Sequence, residues 1–255
     1  MRKSFCNMIC AATALMLSAG SASSAEIDVL TVGSLRTALN GMLEQVQNET
    51  GNTLNVTYVN PAIIEDEFAQ GDFDVVIAAT SSAASFAEAG TIDTDTHISL
   101  ARTGIGISVR EGAPMPDLST PESFRAAVLA ARNVVYSNPQ TLNGSGILTQ
   151  QIFDEADLLE AIEAKGLQSR LGAGRDLIAS GEYEIGFFNI SEGVSEGVIV
   201  AGPVPEPYQR YTNYEAAVAS GASAPQAAAA LIGYLARPER AEAWAAGGIE
   251  LMAGR

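Results

Sequence analysis

Phe73-Asp74-Val75-Val76-Ile77-Ala78-Ala79 is an apolar run of strand length. It does not alternate apolar with polar, so it predicts a parallel strand covered on both faces. Upstream, Ile27 to Val32 is a second apolar-rich strand, and Leu54 to Val59 alternates Leu54, Val56 and Tyr58. Helical spacing fills the gaps. Ser34 is placed to cap a helix whose apolar stripe is Leu35, Leu39, Met42 or Leu43, and Val46, closed by Gly51. Pro61 suits the first turn of a short helix through Phe68, ended by Gly71, and a third spans Ser82 to Ala89 before Gly90. The order β-α-β-α-β-α predicts an open parallel sheet with helices on both faces.

The texture changes from Ala101. Ile105, Ile107 and Val109 alternate as a strand, and Gly112 to Pro121 is a Pro-rich loop before a helix at Glu122 to Arg132. Strands follow at Asn133 to Tyr136, Glu184 to Phe188 and Val198 to Ala201, with helices opening near Ile147 and Arg175. Tyr211 to Ala219 is a last strand, and two helices follow Pro225 and Pro238. This predicts a second α/β unit at 104–208, inserted into a first made of 26–103 and 209–255. The Ala-rich stretch at 227–230 reads as ordinary core packing.

The 255 residues carry 30 acidic side chains against 14 Lys plus Arg, a net charge of −16, with 47% apolar residues. That much apolar content excludes a disordered chain. So few cations exclude the basic stripe of a nucleic-acid binder and attraction to anionic lipid. Arg2 and Lys3, the apolar stretch Phe5 to Ala19 and the small residues before Ala25 form a secretory signal pattern with cleavage after Ala25. The apolar stretch is shorter than the roughly 20 residues that span a bilayer, so no membrane insertion is expected. Cleavage removes two cations and no acids, leaving 12 against 30, a net −18. Cys6 and Cys10 leave with the leader. The mature chain then has no disulfide, thiol nucleophile or Cys metal site, and a bacterial periplasm is the expected compartment.

Several segments, by their order and spacing, resemble the molybdate-binding-protein-like family of type 2 periplasmic substrate-binding proteins. They include Val29-Leu30-Thr31-Val32-Gly33-Ser34-Leu35, Gln70-Gly71-Asp72-Phe73-Asp74-Val75-Val76-Ile77 and Ala101-Arg102-Thr103-Gly104-Ile105-Gly106-Ile107. Arg110 to Pro114, Tyr136 to Pro139, Gly144-Ser145-Gly146, Gly181 to Gly186 and Ile190-Ser191-Glu192 continue the match. The resemblance implies a two-lobed α/β fold of the periplasmic-binding-protein type II kind, each lobe an open, mostly parallel sheet flanked by helices. It also implies a small anion bound between lobes that close about a hinge, delivery to an ABC-transporter permease, and a monomer needing no cofactor or metal. Where molybdate binders usually show a Ser-Ser-Gly-like turn after strand two, this chain has Asn60-Pro61-Ala62, and Pro61 has no N–H to donate. In this respect it resembles a subgroup that includes aconitate isomerase, whose ligand is a small polycarboxylate.

The ligand-contact candidates follow from strand ends, where open α/β sheets bind ligands, and from helix N-termini, which suit anions. They are Ser34, Asn60, Thr80 and Ser81 in the first unit, and Asn143, Ser145, Asn189 and Ser191 in the second. Arg36 and Arg102 are the guanidinium candidates for a carboxylate. Two functions stay open. One is capture of an organic di- or tricarboxylate or a molybdate-like oxyanion, which needs no catalytic group. The other is an isomerase moving an allylic proton of an unsaturated tricarboxylate, with Glu192 or Glu65 as base. His97, the single histidine, is expected in a solvated loop beside Asp93 and Asp95, which do not have metal-site spacing. Gly172-Ala173-Gly174-Arg175 is expected to start a helix and lacks the leading strand of a nucleotide fingerprint.

Overall fold

The computed structural model describes residues 24–141, 144–170 and 172–252. Nearly all of the expected leader, and Asn143, lie outside them.

Strand β1 (Glu26–Val32) runs parallel to β2 (Thr53–Val59) on one side and β3 (Val75–Ala79) on the other. Helix α1 (Arg36–Thr50) joins β1 to β2 and buries Ala38, Leu39, Met42 and Val46; Met42, not Leu43, takes the inner position. Gly51 ends it at φ 73°, the left-handed conformation that glycine adopts without Cβ strain. Helices α2 (Ile64–Gln70) and α3 (Thr80–Glu88) flank β3. The sheet is completed by β9 (Tyr211–Ala219), antiparallel to β3.

Strand β4 (Ile92–Arg110) is the spine of the molecule. Through Gly104 it pairs with β9; from Ile105 onward it pairs with β7 (Ile185–Asn189) and β8 (Val198–Pro203). One strand therefore belongs to two sheets. The second sheet continues with β5 (Val134–Ser137), parallel to β7 and to β6 (Gly166–Ser169). Around it lie α4 (Pro121–Ala130), α5 (Gly144–Glu155), α6 (Leu159–Lys165) and α7 (Ala173–Ala179). Helices α8 (Pro225–Leu235) and α9 (Ala241–Ala246) return to the first sheet, and β10 (Glu250–Leu251) pairs with β4. Two main cores result. Leu30, Ile77, Tyr214 and Trp244 lie in the first, and Ile107, Phe124, Phe153 and Phe187 in the second.

The expected loop around His97 is a correction. His97 lies on β4, and its Nε2 is 2.5 Å from Glu215 Oε2 on β9. Asp93 to His97 is polar, and the pairing register shifts between Asp93 and Ile98, so the strand carries no alternating apolar signal there.

The second crossing between sheets is tied to the first. Gln209, buried just before β9, accepts from the Ile105 N–H at 2.9 Å and donates to the Ile105 carbonyl at 3.0 Å. Gly104 makes room for it, since a Cβ there would lie 2.9 Å from Gln209 Nε2.

Two charged side chains act as staples. Asp74 is 2% exposed and accepts from the Asp28, Ser223 and Ala224 N–H groups and the Ser223 hydroxyl, fixing β3 to β1 and to the start of α8. Lys165 donates to the carbonyls of Val128, Leu129 and Ala131 at 2.7, 2.8 and 2.7 Å, satisfying the C-terminal end of α4.

Candidate functional site

A cavity of about 440 Å³ lies between the two sheets at the carboxyl ends of their strands, within the range of small-molecule sites. The first sheet contributes Ser34 after β1, Pro61 and Ala62 after β2, and Ser81 and Ser82 after β3. The second contributes Gly144 and Ser145 at the start of α5, with Asn189 and Glu192 at the end of β7. Thr212 and Tyr214 of β9 line it from the crossing. The tight turn Gly33–Leu35 that leads into α1, the first turn of α3 and the first turn of α5 thus meet at one place.

Ser34 does not cap α1 with its side chain. Its Oγ is 2.7 Å from the Tyr214 hydroxyl, and both residues are buried. Burial pushes the Tyr214 phenol well above its ordinary value, so this pair stays protonated. Asn189 donates from Nδ2 to Glu192 Oε2 at 3.0 Å, leaving its own Oδ1 buried and unpartnered. Thr212 Oγ1 is likewise buried and unpartnered among the described residues. Burial raises the Glu192 carboxyl above the ordinary range, against the opposing pull of the Asn189 bond and the Arg175 charge.

Of the residues singled out from sequence, Ser34, Ser81, Ser145, Asn189, Glu65 and Glu192 line this cavity. Asn60 spends its Oδ1 on the Ala62 N–H at 3.0 Å, holding its own turn. Thr80 donates to Glu215 Oε1 at 3.0 Å, away from the lining. Arg102 is occupied elsewhere: its Nε lies 2.8 Å from Glu250 Oε2 and its guanidinium is stacked 3.9 Å over Tyr211. The Glu250 hydrogen bond raises its affinity for the proton further. Arg36 and Ser191 line a separate cavity of about 280 Å³ that shares Glu192 with the first.

The sequence reading missed Tyr214 and Thr212. Both are on a strand recognised from its pattern, two residues apart and therefore on one face, which was the available signal. It also passed over Arg175, read only as part of a helix start. Among the described residues no group of three or more His, Cys, Asp or Glu is arranged to hold a metal ion, and no helix is long and apolar enough to cross a membrane.

Residues 27–250 match the family of bacterial extracellular solute-binding proteins. An aconitate isomerase from Pseudomonas sp. is 28% identical over 225 residues, covering 85% of this chain and 84% of the relative. The periplasmic molybdate-binding protein of Azotobacter vinelandii superposes with a TM-score of 0.72 at 16% identity, covering 89% of this chain and 99% of that one. The sulfate-binding protein of Mycobacterium tuberculosis superposes with a TM-score of 0.70 at 16% identity, covering 90% and 88% respectively. At such identities the two structures share the fold with this chain.

Proposed function

The chain belongs to the bacterial extracellular solute-binding protein family and has its two-lobed α/β fold, and from that premise we propose that it captures a small carboxylate-bearing anion between the two sheets. The lobes are 26–103 with 209–255, and 104–208. They close by bending where β4 and the Gln209 segment cross between sheets. The cavity carries the reading: helix starts from both sheets meet there, each with first-turn N–H groups that have no partner within the helix. The hydroxyls of Ser81 and Ser82, and one of the bonded Ser34–Tyr214 pair, add donors. A di- or tricarboxylate suits this lining better than a molybdate-like oxyanion. The Ala62 N–H is already spent on Asn60 Oδ1 and Pro61 has no N–H, so the 60–62 backbone adds little to a shell of donors around a tetrahedral ion. The chain works in the periplasm as a monomer and hands its ligand to an ABC-transporter permease.

A thermal-shift series with citrate, cis- and trans-aconitate, succinate, sulfate and molybdate tests this. A carboxylate present at 100 times its dissociation constant adds about 2.7 kcal/mol, roughly 5–10 °C for a chain of this size. A shift with molybdate or sulfate alone would overturn the carboxylate reading.

Glu192 and the isomerase relative support a second reading, an allylic proton shift. A carboxyl with a raised value, placed on the cavity wall, suits removal of a proton from one carbon and its return to another as the double bond migrates. Conversion of cis- to trans-aconitate, followed by proton NMR, is then expected, and Glu192→Gln should abolish it while keeping the thermal shift. No conversion by concentrated wild-type protein would sink this second reading.

A further inference from the structure

Glu192, at the end of the turn Ile190–Glu192, lines both the main cavity and a second one. The second cavity brings Arg36 of α1 and Arg175 of α7 together with Ser137 and Ser191. Neither arginine takes part in an ion pair among the described residues, although 30 acidic side chains are available in the chain. Arg102, Arg125, Arg132, Arg210 and Arg240 each have one. Arg36 and Arg175, like Arg110, Arg170 and Arg237, have none among the described residues, yet both are held in place. Arg36 lies 4.2 Å over the Tyr58 ring, and Arg175 donates from one terminal nitrogen to the Glu192 carbonyl at 2.8 Å. Each keeps most of its five N–H donors for something else. Ser191 Oγ is buried and has no hydrogen-bond partner among the described residues. At the second sheet, Ser145 Oγ of the first cavity lies 3.3 Å from Ser137 Oγ of the second.

We propose that this second cavity is the subsite for a distal carboxylate of the ligand, gripped by Arg36 and Arg175 with the Ser191 hydroxyl. The ligand then reaches past Glu192 with one carboxylate among the helix starts and another on the guanidiniums. This rests on the carboxylate reading of the main cavity and narrows it to ligands with two or more carboxylates. Paired guanidiniums match a carboxylate by bidentate hydrogen bonds, which lysines do not reproduce. They also offset the Glu192 charge that would repel a bound anion.

Isothermal titration of the mature chain with tricarballylate and with acetate tests it. Arg36→Gln and Arg175→Gln are each expected to weaken tricarballylate binding about 20-fold, with only a small drop in unliganded melting from the lost Tyr58 stacking or Glu192 hydrogen bond. Arg175→Lys keeps the charge and should recover part of the loss. Arg237→Gln, whose guanidinium stacks on Tyr234, is the control and should bind as wild type. If wild type binds tricarballylate and both Gln variants bind it equally tightly, the subsite is wrong and the main-cavity reading survives. If wild type binds no carboxylate, the main-cavity reading fails and the subsite falls with it.

Discussion

Asp74→Ala is expected to lower the stability of the fold by about 4 kcal/mol, roughly 10 °C in melting temperature. The carboxylate accepts four hydrogen bonds, from the backbone of Asp28, Ser223 and Ala224 and from the Ser223 hydroxyl. Alanine fills none of them and leaves buried donors unmatched, which costs more than the bonds themselves contribute. Burial alone would raise the Asp74 carboxyl, but the bonds outweigh it and hold it below its ordinary value of 3.8. A depressed native value gives a definite sign. The stabilisation is fully present above the unfolded value near 4 and is lost as pH falls through the lower native value. Urea titrations at pH 7 and at pH 3 measure this: the gap between wild type and variant should shrink at the lower pH. An equal gap at both would rule out the carboxylate as its source.

Gly146→Ala should cost both folding and binding, with ligand affinity falling about 100-fold if the start of α5 moves by an ångström. Helix propensity alone predicts the opposite sign, a gain of about 1 kcal/mol for alanine. Steric contact decides, because a Cβ at 146 would lie 2.7 Å from the Ser137 carbonyl oxygen and 2.8 Å from the backbone of Asn138 and Pro139. These are backbone atoms of the β5 end and cannot swing away, so α5 must shift, carrying Gly144 and Ser145 out of the cavity. Gly233 in α8 is the matched comparison: nothing lies within 4 Å of its Cβ position, so Gly233→Ala should be neutral or stabilising and leave binding intact. Calorimetric binding and thermal melts of the two variants separate these effects; equal behaviour would refute the close-approach argument.

β3 was legible because burial on both faces leaves an unbroken apolar run, and β1 and β9 because most of their residues are apolar and buried. α6, β6 and β10 were not: α6 and β6 have four to seven residues, mostly exposed, and β10 has two. The polar half of β4 is held by partners far along the chain, which no local pattern encodes. The same limit applied to the site. Polar side chains at strand ends and helix starts pointed to Ser34, Ser81, Ser145 and Asn189, because chain position alone brings them to the cleft. Which arginine is free depends on where the acids fall in space. Arg102 meets Glu250, 148 residues away, whereas Arg36 and Arg175 form no ion pair among the described residues.

Lys165 also has a consequence for conjugation chemistry. Lys3 and Lys165 are the only lysines in the sequence, and Lys165 commits its ammonium to three carbonyls. Burial lowers its proton affinity, but an acylated nitrogen would no longer be able to make those three bonds. On a folded chain that begins at Glu26, which has Lys165 as its one lysine, an amine-directed label or crosslinker is therefore directed to the α-amino terminus. Labelling of Lys165 becomes a chemical read-out that the end of α4 has opened.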